Sequence, residues 1–267
     1  MPTVYEVYAI KYAKHDRNAS ANFIGGDPHD GPMPIDYFVW VIRNDEETWI
    51  VDCGFDKHSA TERGRTLIRS VPEAIELVGV SATDVEQLII THMHYDHIGN
   101  LAAFPKARFH LQDREMAFAT GRYMGHHSLR EGYSLRDVKE VVEHVYAERV
   151  EFHNGDTQLT PGISLHTVGG HTDGLQVVRV FTSRGWIVLA SDASHFYRNM
   201  DENKPYPITF HIGDMLEGYR RLDELADSHD HIIPGHDPSV LSRYSAPNPS
   251  LEGVVATLHD VPKHTDG

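Results

Sequence analysis

Four side chains that can bind a metal ion lie within six positions of the chain, directly after an apolar run. They are His92, His94, Asp96 and His97, and the run before them is 88–90. Imidazole and carboxylate are groups that zinc, iron, manganese and cobalt accept as ligands. Residues i and i+2 of an extended segment point to the same side, so His92 and His94 can hold one ion together. Asp96 and His97 begin the next turn and therefore suit a second ion.

Two ions need more ligands than these four, and three later segments each place a His or an Asp just past a strand-like apolar run. His171 follows a pair of glycines, Asp192 follows the run 186–190, and His236 follows a proline and a glycine. The seven candidate ligands divide into two sets joined by one bridging residue: His92, His94 and His171; Asp96, His97 and His236; and Asp192 between them.

The order of these seven residues resembles the metallo-β-lactamase fold superfamily. The matching features are the His-x-His-x-Asp-His run at 92–97, the later lone His, the Asp and the final His. Upstream, Asp52-Cys53-Gly54 resembles the strand of that superfamily that ends in Asp-Thr-Gly or Asp-Ser-Gly. The overall length and the segment 191–194 resemble the N-acyl homoserine lactonase group and related small-lactone hydrolases.

The resemblance implies an α/β fold, a four-layer αβ/βα sandwich in which two packed mixed β-sheets are flanked by helices. The alternation of predicted strands and helices agrees with it, and the ions would lie at the open edge between the sheets. We predict a hairpin from 37–42 and 48–51 and helices over 57–69, 134–149 and 213–227. Because no internal repeat is found, we expect residues 1–267 to form a single domain.

Composition limits the partners. The formal net charge is −15, which repels the phosphate backbone of nucleic acids, so no nucleic-acid partner is expected. The nearest thing to a basic patch is Arg63, Arg65 and Arg69, which the solvated face of a helix also explains. The single cysteine, Cys53, excludes an internal disulfide and is expected to pack in the core.

The chain carries no sign of membrane insertion or export. No apolar run approaches the ~20 residues that cross a bilayer, and the first residues lack a basic and then apolar signal segment. We therefore expect a cytoplasmic protein without a membrane partner. The long loop at 19–34 could mediate a homodimer or be an ordinary mobile loop.

The expected chemistry is hydrolysis by a hydroxide that bridges two divalent metal ions. Zinc is the default from the ligand types, and iron, manganese or cobalt would also suit such sites. The hydroxide would attack a carbonyl carbon, and Asp96 would carry a proton to the leaving oxygen. Asp52 is expected to accept a hydrogen bond from a ligand imidazole, that of His94.

One position departs from the related lactonases, which carry a Tyr three residues after the bridging Asp. Here His195 stands at that position, followed by Phe196 and Tyr197. Either His195 or Tyr197 would then contact the substrate carbonyl, or either could simply line the pocket.

The leading functional hypothesis is a lactonase, which opens a small cyclic ester and could act on N-acyl homoserine lactones in quorum quenching. A glyoxalase-II-like thioesterase would use the same ligands but needs basic residues near its C-terminus, where only Arg243 and Lys263 follow His236. A phosphodiesterase would need a basic channel. A metal-containing sensor or binding protein would keep the ligands without turnover.

Overall fold

The computed structural model describes residues 1–263, which alternate between strands and helices. The strands are β1 Glu6–His15, β2 Ile35–Arg43, β3 Thr48–Val51, β4 Thr66–Leu67, β5 Gln87–Ile89, β6 Arg108–Gln112, β7 Val150–His153, β8 Thr157–Thr160, β9 Ile163–Thr167, β10 Gln176–Thr182, β11 Gly185–Ser191, β12 Ile232–Pro234 and β13 Val255–Thr257. The helices are α1 Lys57–Glu62, α2 Val71–Glu76, α3 Tyr95–Ile98, α4 Asp113–Ala119, α5 His127–Arg130, α6 Leu135–Tyr146, α7 Tyr197–Asp201, α8 Ile212–Leu225 and α9 Ser239–Arg243.

The strands form two mixed sheets, as the predicted sandwich requires. The first has the order β13-β1-β2-β3-β5-β6-β7 with β4 added to β1, and the second has the order β12-β11-β10-β9-β8. Helices α2, α4 and α6 contact the first sheet, and α8 contacts the second. The predicted four-layer αβ/βα fold is confirmed.

Strand β2 is continuously apolar from Tyr37 to Ile42 because both of its faces are covered. Tyr37, Val39 and Val41 point to the core between the first sheet and its helices. Phe38, Trp40 and Ile42 alternate with them and point to the core between the two sheets. This two-sided burial holds the centre of the first sheet rigid beneath the edge where the candidate ligands lie.

Parallel strand pairs bring the candidate ligands to one edge. Strands β3 and β5 are parallel neighbours, so Asp52 and His92 leave the first sheet side by side. Strands β11 and β12 are parallel neighbours in the second sheet, so Asp192 and His236 do the same. Since the carboxyl ends of parallel strands share an edge, the two sheets present these residues to each other.

The helix predicted over 57–69 is much shorter in the structure, and the difference matters for the site. Helix α1 ends at Glu62, and Gly64 then adopts a φ of +63°, a left-handed conformation that favours glycine. Arg65 N donates to Ala60 O at 2.8 Å, and the chain continues as β4 against β1. Arg63 and Arg65 therefore do not form a solvated helix face.

The other predicted elements agree with the structure within a few residues. The hairpin is β2 with β3, which pair antiparallel, and the two later helices are α6 and α8. Cys53 is fully buried, as predicted, and burial raises the pKa of its thiol well above the usual value. No helix within residues 1–263 combines the length and the apolar character that a membrane crossing demands.

Candidate metal centre

Three imidazoles from two loops converge on one point. His92 and His94 follow β5, and His171 lies in the turn between β9 and β10. His171 Nε2 is 2.8 Å from His94 Nδ1 and 3.2 Å from His92 Nε2. All three side chains are buried. The arrangement brings together the first of the two sets predicted from the sequence.

The second predicted set lies beside the first. Nε2 of His97 is 3.7 Å from Asp96 Oδ2, and Nε2 of His236 is 3.8 Å from the same oxygen. Asp192 stands between the two sets and turns one oxygen to each. Its Oδ2 is 3.3 Å from His171 Nε2 and its Oδ1 is 3.0 Å from His236 Nε2. The structure thus brings all seven candidate ligands into one cluster.

In two of the histidines, a hydrogen bond from Nδ1 to a backbone carbonyl determines that Nε2 faces the cluster. His171 Nδ1 lies 2.6 Å from Ile208 O, and His236 Nδ1 lies 2.8 Å from Asp36 O. A carbonyl oxygen only accepts hydrogen bonds, so in both residues Nδ1 carries the proton and donates. In the neutral ring the Nε2 lone pair is then free and points into the cluster, as metal-ligating histidines require.

Asp52 supports His97 rather than His94, which corrects the prediction made from the sequence. His97 Nδ1 donates to Asp52 Oδ2 at 2.7 Å, and Thr91 donates to the same carboxylate from N at 2.8 Å and from Oγ1 at 2.9 Å. Asp52 has a φ of +61°, which turns its side chain back over the end of β5. From there it reaches the first turn of α3, where His97 lies.

The electrostatics of the cluster favour cations. Burial lowers the pKa of His92 and His94 well below the usual value, and neighbouring imidazoles lower it further, so both rings are neutral. Burial opposes charge on His97 as well, but the carboxylates of Asp52, Asp96 and Asp192 outweigh it and raise its pKa. The cluster therefore offers lone pairs on one side and an excess of negative charge on the other.

The spacing of these residues fits bound divalent metal. Zinc–nitrogen bonds of about 2.1 Å in tetrahedral geometry place the ligand atoms of one ion about 3.4 Å apart, and the contacts above run from 2.8 to 3.8 Å. Within residues 1–263, His97 Nε2 and Asp192 Oδ1 are buried without a hydrogen-bond partner. Buried polar atoms rarely stay unpaired, and a divalent ion bound at the cluster would satisfy both of these.

Glu115 joins the ligand loops to each other, a role that the sequence did not indicate. Its carboxylate accepts hydrogen bonds from Met93 N at 2.9 Å, Tyr133 Oη at 2.9 Å, Thr172 Oγ1 at 2.6 Å and Gly174 N at 3.2 Å. Glu115 lies in α4 with the helical pattern of an ordinary surface helix, so spacing gave no signal for it. It ties the loop of His92 and His94 to the loop of His171.

Comparisons with known proteins agree with this geometry. The model of the metallo-beta-lactamase superfamily matches residues 34–236, a range that includes all seven candidate ligands. The chain belongs to the metallo-beta-lactamase superfamily. It is a hydrolase of that fold, the superfamily implies that it binds divalent metal, and its His and Asp cluster offers groups that could hold such an ion.

Several members of the superfamily are similar over most of their length. A probable metallo-hydrolase of Mycobacterium tuberculosis is 28% identical over 229 residues, covering 76% of this chain and 72% of that protein. An N-acyl homoserine lactonase of Bacillus thuringiensis is 29% identical over 222 residues, covering 77% and 82%. A crystal structure of a quorum-quenching N-acyl homoserine lactone lactonase superposes with a TM-score of 0.74 at 22% identity, covering 89% and 94%.

His195, the residue in place of the lactonase Tyr, lies at the cluster. Its Nε2 is 3.0 Å from Asp192 Oδ2, and its ring stacks on that of Tyr206 at a centroid distance of 3.4 Å. Tyr206, which the sequence did not indicate, also donates a hydrogen bond from Oη to the backbone oxygen of Asp192. Both side chains thus hold the residue that links the two sets of candidate ligands.

The structure does not bring Tyr197 to the cluster, which corrects its prediction as a substrate contact. Helix α7 begins at Tyr197, whose side chain is buried in the apolar core that includes the second sheet. Its ring packs under the guanidinium of Arg243 at 3.8 Å, and its backbone N donates to Asp237 Oδ2 at 3.1 Å. Of the two candidates, only His195 lines the cavity over the cluster.

Proposed function

We propose that this chain is a dinuclear metallohydrolase, with zinc as the default metal, that opens lactones. N-acyl homoserine lactones, the substrates named for its lactonase relatives, are the first compounds to try. We also propose that residues 1–267 act as a single domain, because the candidate ligands come from both sheets and neither half holds a complete set.

The division of the Asp192 carboxylate carries the proposal of two ions. One oxygen faces His171 at 3.3 Å and the other faces His236 at 3.0 Å and His97 at 3.5 Å. A carboxylate with one oxygen toward each set of imidazoles can bind one ion through each oxygen. This arrangement supports a bridge between two ions.

The chain's own residues suit ester hydrolysis. When bound, divalent ions would activate water for attack on a carbonyl carbon and stabilise negative charge on the carbonyl oxygen. Asp96 is the only one of the seven candidate ligands that is not buried, and it lines the cavity. We assign to its carboxylate the transfer of a proton from the attacking water to the leaving alkoxide. His195 and Tyr206 hold Asp192 in its bridging orientation.

The space around the cluster supports a small substrate with an apolar extension. The cavity over the candidate ligands has a volume of about 90 Å³, which suits a lactone ring. It shares Arg63 and Glu131 with a larger cleft of about 680 Å³, whose apolar lining includes Met124 and Leu135. An acyl or alkyl substituent would extend into that cleft.

The thioesterase alternative receives less support. Arg243 and Lys263, the basic residues that follow His236, line a separate cavity together with Arg184 and Asp230. That cavity shares no lining residue with the one over the candidate ligands. Basic groups placed there would not bind the glutathione part of a thioester whose carbonyl lies at the cluster.

Elemental analysis combined with a substrate panel tests the proposal. The purified protein is assayed for bound metal and for hydrolysis of γ-lactones, N-acyl homoserine lactones, aryl esters, acyl-thioesters and a phosphodiester. Two ions per chain and proton release from lactones, without thiol or phosphate product, are expected. A chain that binds one ion, or that cleaves only thioesters or phosphodiesters, would refute it.

His97→Ala provides a matched test of the ligand assignment. The variant should lose bound metal and ester hydrolysis, because His97 Nε2 faces the cluster. His144→Ala is the control, since His144 packs against Phe109 away from the cluster and its loss should change neither property. Wild-type metal content and activity in His97→Ala would contradict the two-ion assignment.

A further inference from the structure

Three arginines line the same cavity as the candidate ligands, in a protein whose net charge is −15. Arg17 follows β1, and Arg63 and Arg65 flank the turn at Gly64. Within residues 1–263, no carboxylate lies within 4.0 Å of any of these guanidinium groups, whereas Arg136 and Arg198 pair with carboxylates elsewhere. Other arginines also lack a carboxylate partner, so the informative feature is that Arg17, Arg63 and Arg65 converge on one cavity.

The three arginines differ in how far the protein uses their donors. Arg63 is held in place, because it donates from Nη1 to Glu131 O at 2.8 Å and from Nη2 to Tyr133 O at 3.1 Å and lies over the Tyr95 ring at 3.9 Å. Its role is to fix the wall between the cavity and the larger cleft.

Arg65 and Arg17 keep donors free. Arg65 donates from Nε to Tyr95 Oη at 3.1 Å and from Nη1 to Arg63 O at 2.6 Å, and its Nη1 lies 3.2 Å from His15 Nε2. Arg17 donates from Nη2 to Ala21 O at 2.5 Å. Within the described part of the chain, Nη2 of Arg65 and both Nε and Nη1 of Arg17 have no acceptor.

The guanidinium charges of Arg17 and Arg65 repel each other, and Asp96 stabilises the charge of Arg65 without forming an ion pair with it. Burial lowers the pKa of Arg17, and the nearby charge of Arg65 also lowers it, against the opposing effects of Tyr37 and Tyr95. Burial and the same two guanidiniums lower the pKa of His15 to about 4, so His15 stays neutral and adds no charge. An anion in the cavity would relieve this repulsion.

We propose that the substrate carries an oxyanion, a carboxylate or a phosphate, which Arg17 and Arg65 bind beside the candidate metal centre. A guanidinium is the side chain whose planar donors best match such a group. The inference rests on the proposed lactonase function and narrows it, since N-acyl homoserine lactones are neutral. The preferred substrate is then an anionic lactone.

Matched substrate pairs test the proposal with the metal-loaded enzyme. A γ-butyrolactone carrying a ring carboxylate is compared with its neutral carboxamide, and a hydroxymethyl γ-butyrolactone phosphate with its free alcohol. The quantity measured is the ratio of kcat/KM for the anionic over the neutral member. We expect at least a tenfold preference for the anion in one pair, and the pair that shows it identifies the oxyanion.

Variants then assign the preference to the arginines. Arg17→Gln and Arg65→Gln should each reduce the ratio roughly 10- to 100-fold, the range for a hydrogen bond to a charged group. Arg65→Lys keeps the positive charge but lacks the planar guanidinium, so its ratio should lie between those of wild type and Arg65→Gln. Arg108→Gln, which changes an exposed arginine on β6, should leave the ratio unchanged. Equal rates for both members in wild type, or a preference that survives both Gln variants, would overturn the proposal.

Calorimetry separates this inference from the lactonase proposal. If the metal-loaded protein hydrolyses no ester, the lactonase proposal fails, and titration with the carboxylated and phosphorylated lactones still measures oxyanion binding. At least tenfold weaker binding of either compound in Arg17→Gln and in Arg65→Gln supports the arginine site. Equal affinity in the variants, or no binding of either compound to wild type, refutes it. Thermal melting verifies that each variant is folded.

Discussion

Replacing Asp52 by Asn tests how the carboxylate behind His97 shapes the metal centre. The substitution keeps the size of the side chain but exchanges Oδ2, which accepts from His97 Nδ1 at 2.7 Å and from Thr91 Oγ1 at 2.9 Å, for an NH₂ donor. Oδ1 can still accept from Thr91 N. To avoid two donors facing each other, His97 must move its proton to Nε2, the nitrogen that points into the cluster.

The size of the effect follows from the contact that is lost. A proton on Nε2 of His97 competes directly with a metal ion, and removing such an outer partner weakens metal binding about 10- to 100-fold. That range corresponds to about 1.4 to 2.8 kcal/mol. It agrees with the roughly 1.5 to 3 kcal/mol of one hydrogen bond to a charged group. We expect the weakening for one of the two ions only.

Competition with a chromophoric chelator measures the affinity of each ion in turn. Asp137→Asn is the control, because Asp137 is equally buried and pairs with Arg136 at 2.8 Å, away from the cluster. A double-mutant cycle locates the effect. Asp52→Asn should add nothing to His97→Ala but should keep its full effect in His94→Ala. Affinities within twofold of wild type for both ions, or an effect that disappears only in His94→Ala, would refute the reasoning.

Three further substitutions probe the centre and the fold. Glu115→Gln places an NH₂ group against donors whose hydrogen bonds the carboxylate now accepts, and it should lower the free energy of unfolding by about 3 kcal/mol. Urea titration measures this change, and a decrease below about 1 kcal/mol would contradict the role of Glu115. His195→Phe removes the contact with Asp192 and should lower lactone turnover roughly tenfold with both ions retained; an unaltered rate would remove His195 from the site. Burial and His153 lower the pKa of His110 to about 4, so this residue contributes stability above pH 6.5 that is lost as the pH falls towards 4. The His110→Gln variant should lack this pH-dependent loss of stability, which amounts to up to about 3 kcal/mol. If the difference in unfolding free energy between variant and wild type stays constant from pH 6.5 to 4, the assignment to His110 is wrong.

The candidate ligands could be predicted from sequence because each follows an apolar strand. Asp192 and His236 end neighbouring parallel strands of one sheet, and His92 ends a strand of the other, so the topology alone brings them together. Within the loop, the i and i+2 spacing of His92 and His94 places both side chains on the same side. These features belong to the backbone, and an apolar pattern is enough to indicate them.

Side-chain directions in turns could not be predicted in the same way. Asp52 reaches His97 because its φ is positive, and Arg65 reaches the cavity because Gly64 ends α1 early. Tyr197 was expected at the site only from its closeness in sequence to Asp192, but the start of α7 points it into the core. In each case a single backbone dihedral or helix start decides where the side chain points, and composition carries no record of it.

The two sides of the cavity have opposite electrostatic requirements. The cluster holds the neutral imidazoles of His92 and His94 beside the carboxylates of Asp96 and Asp192 and so favours cations, whereas Arg17 and Arg65 favour an anion. A neutral lactone would meet only the first requirement, through its carbonyl. A lactone with a carboxylate or phosphate would meet both, and two fixed points on one small ring would also orient the carbonyl for attack. Because the rest of the protein is strongly acidic, such an anion gains little from long-range attraction, and its selection must come from contacts inside the cavity.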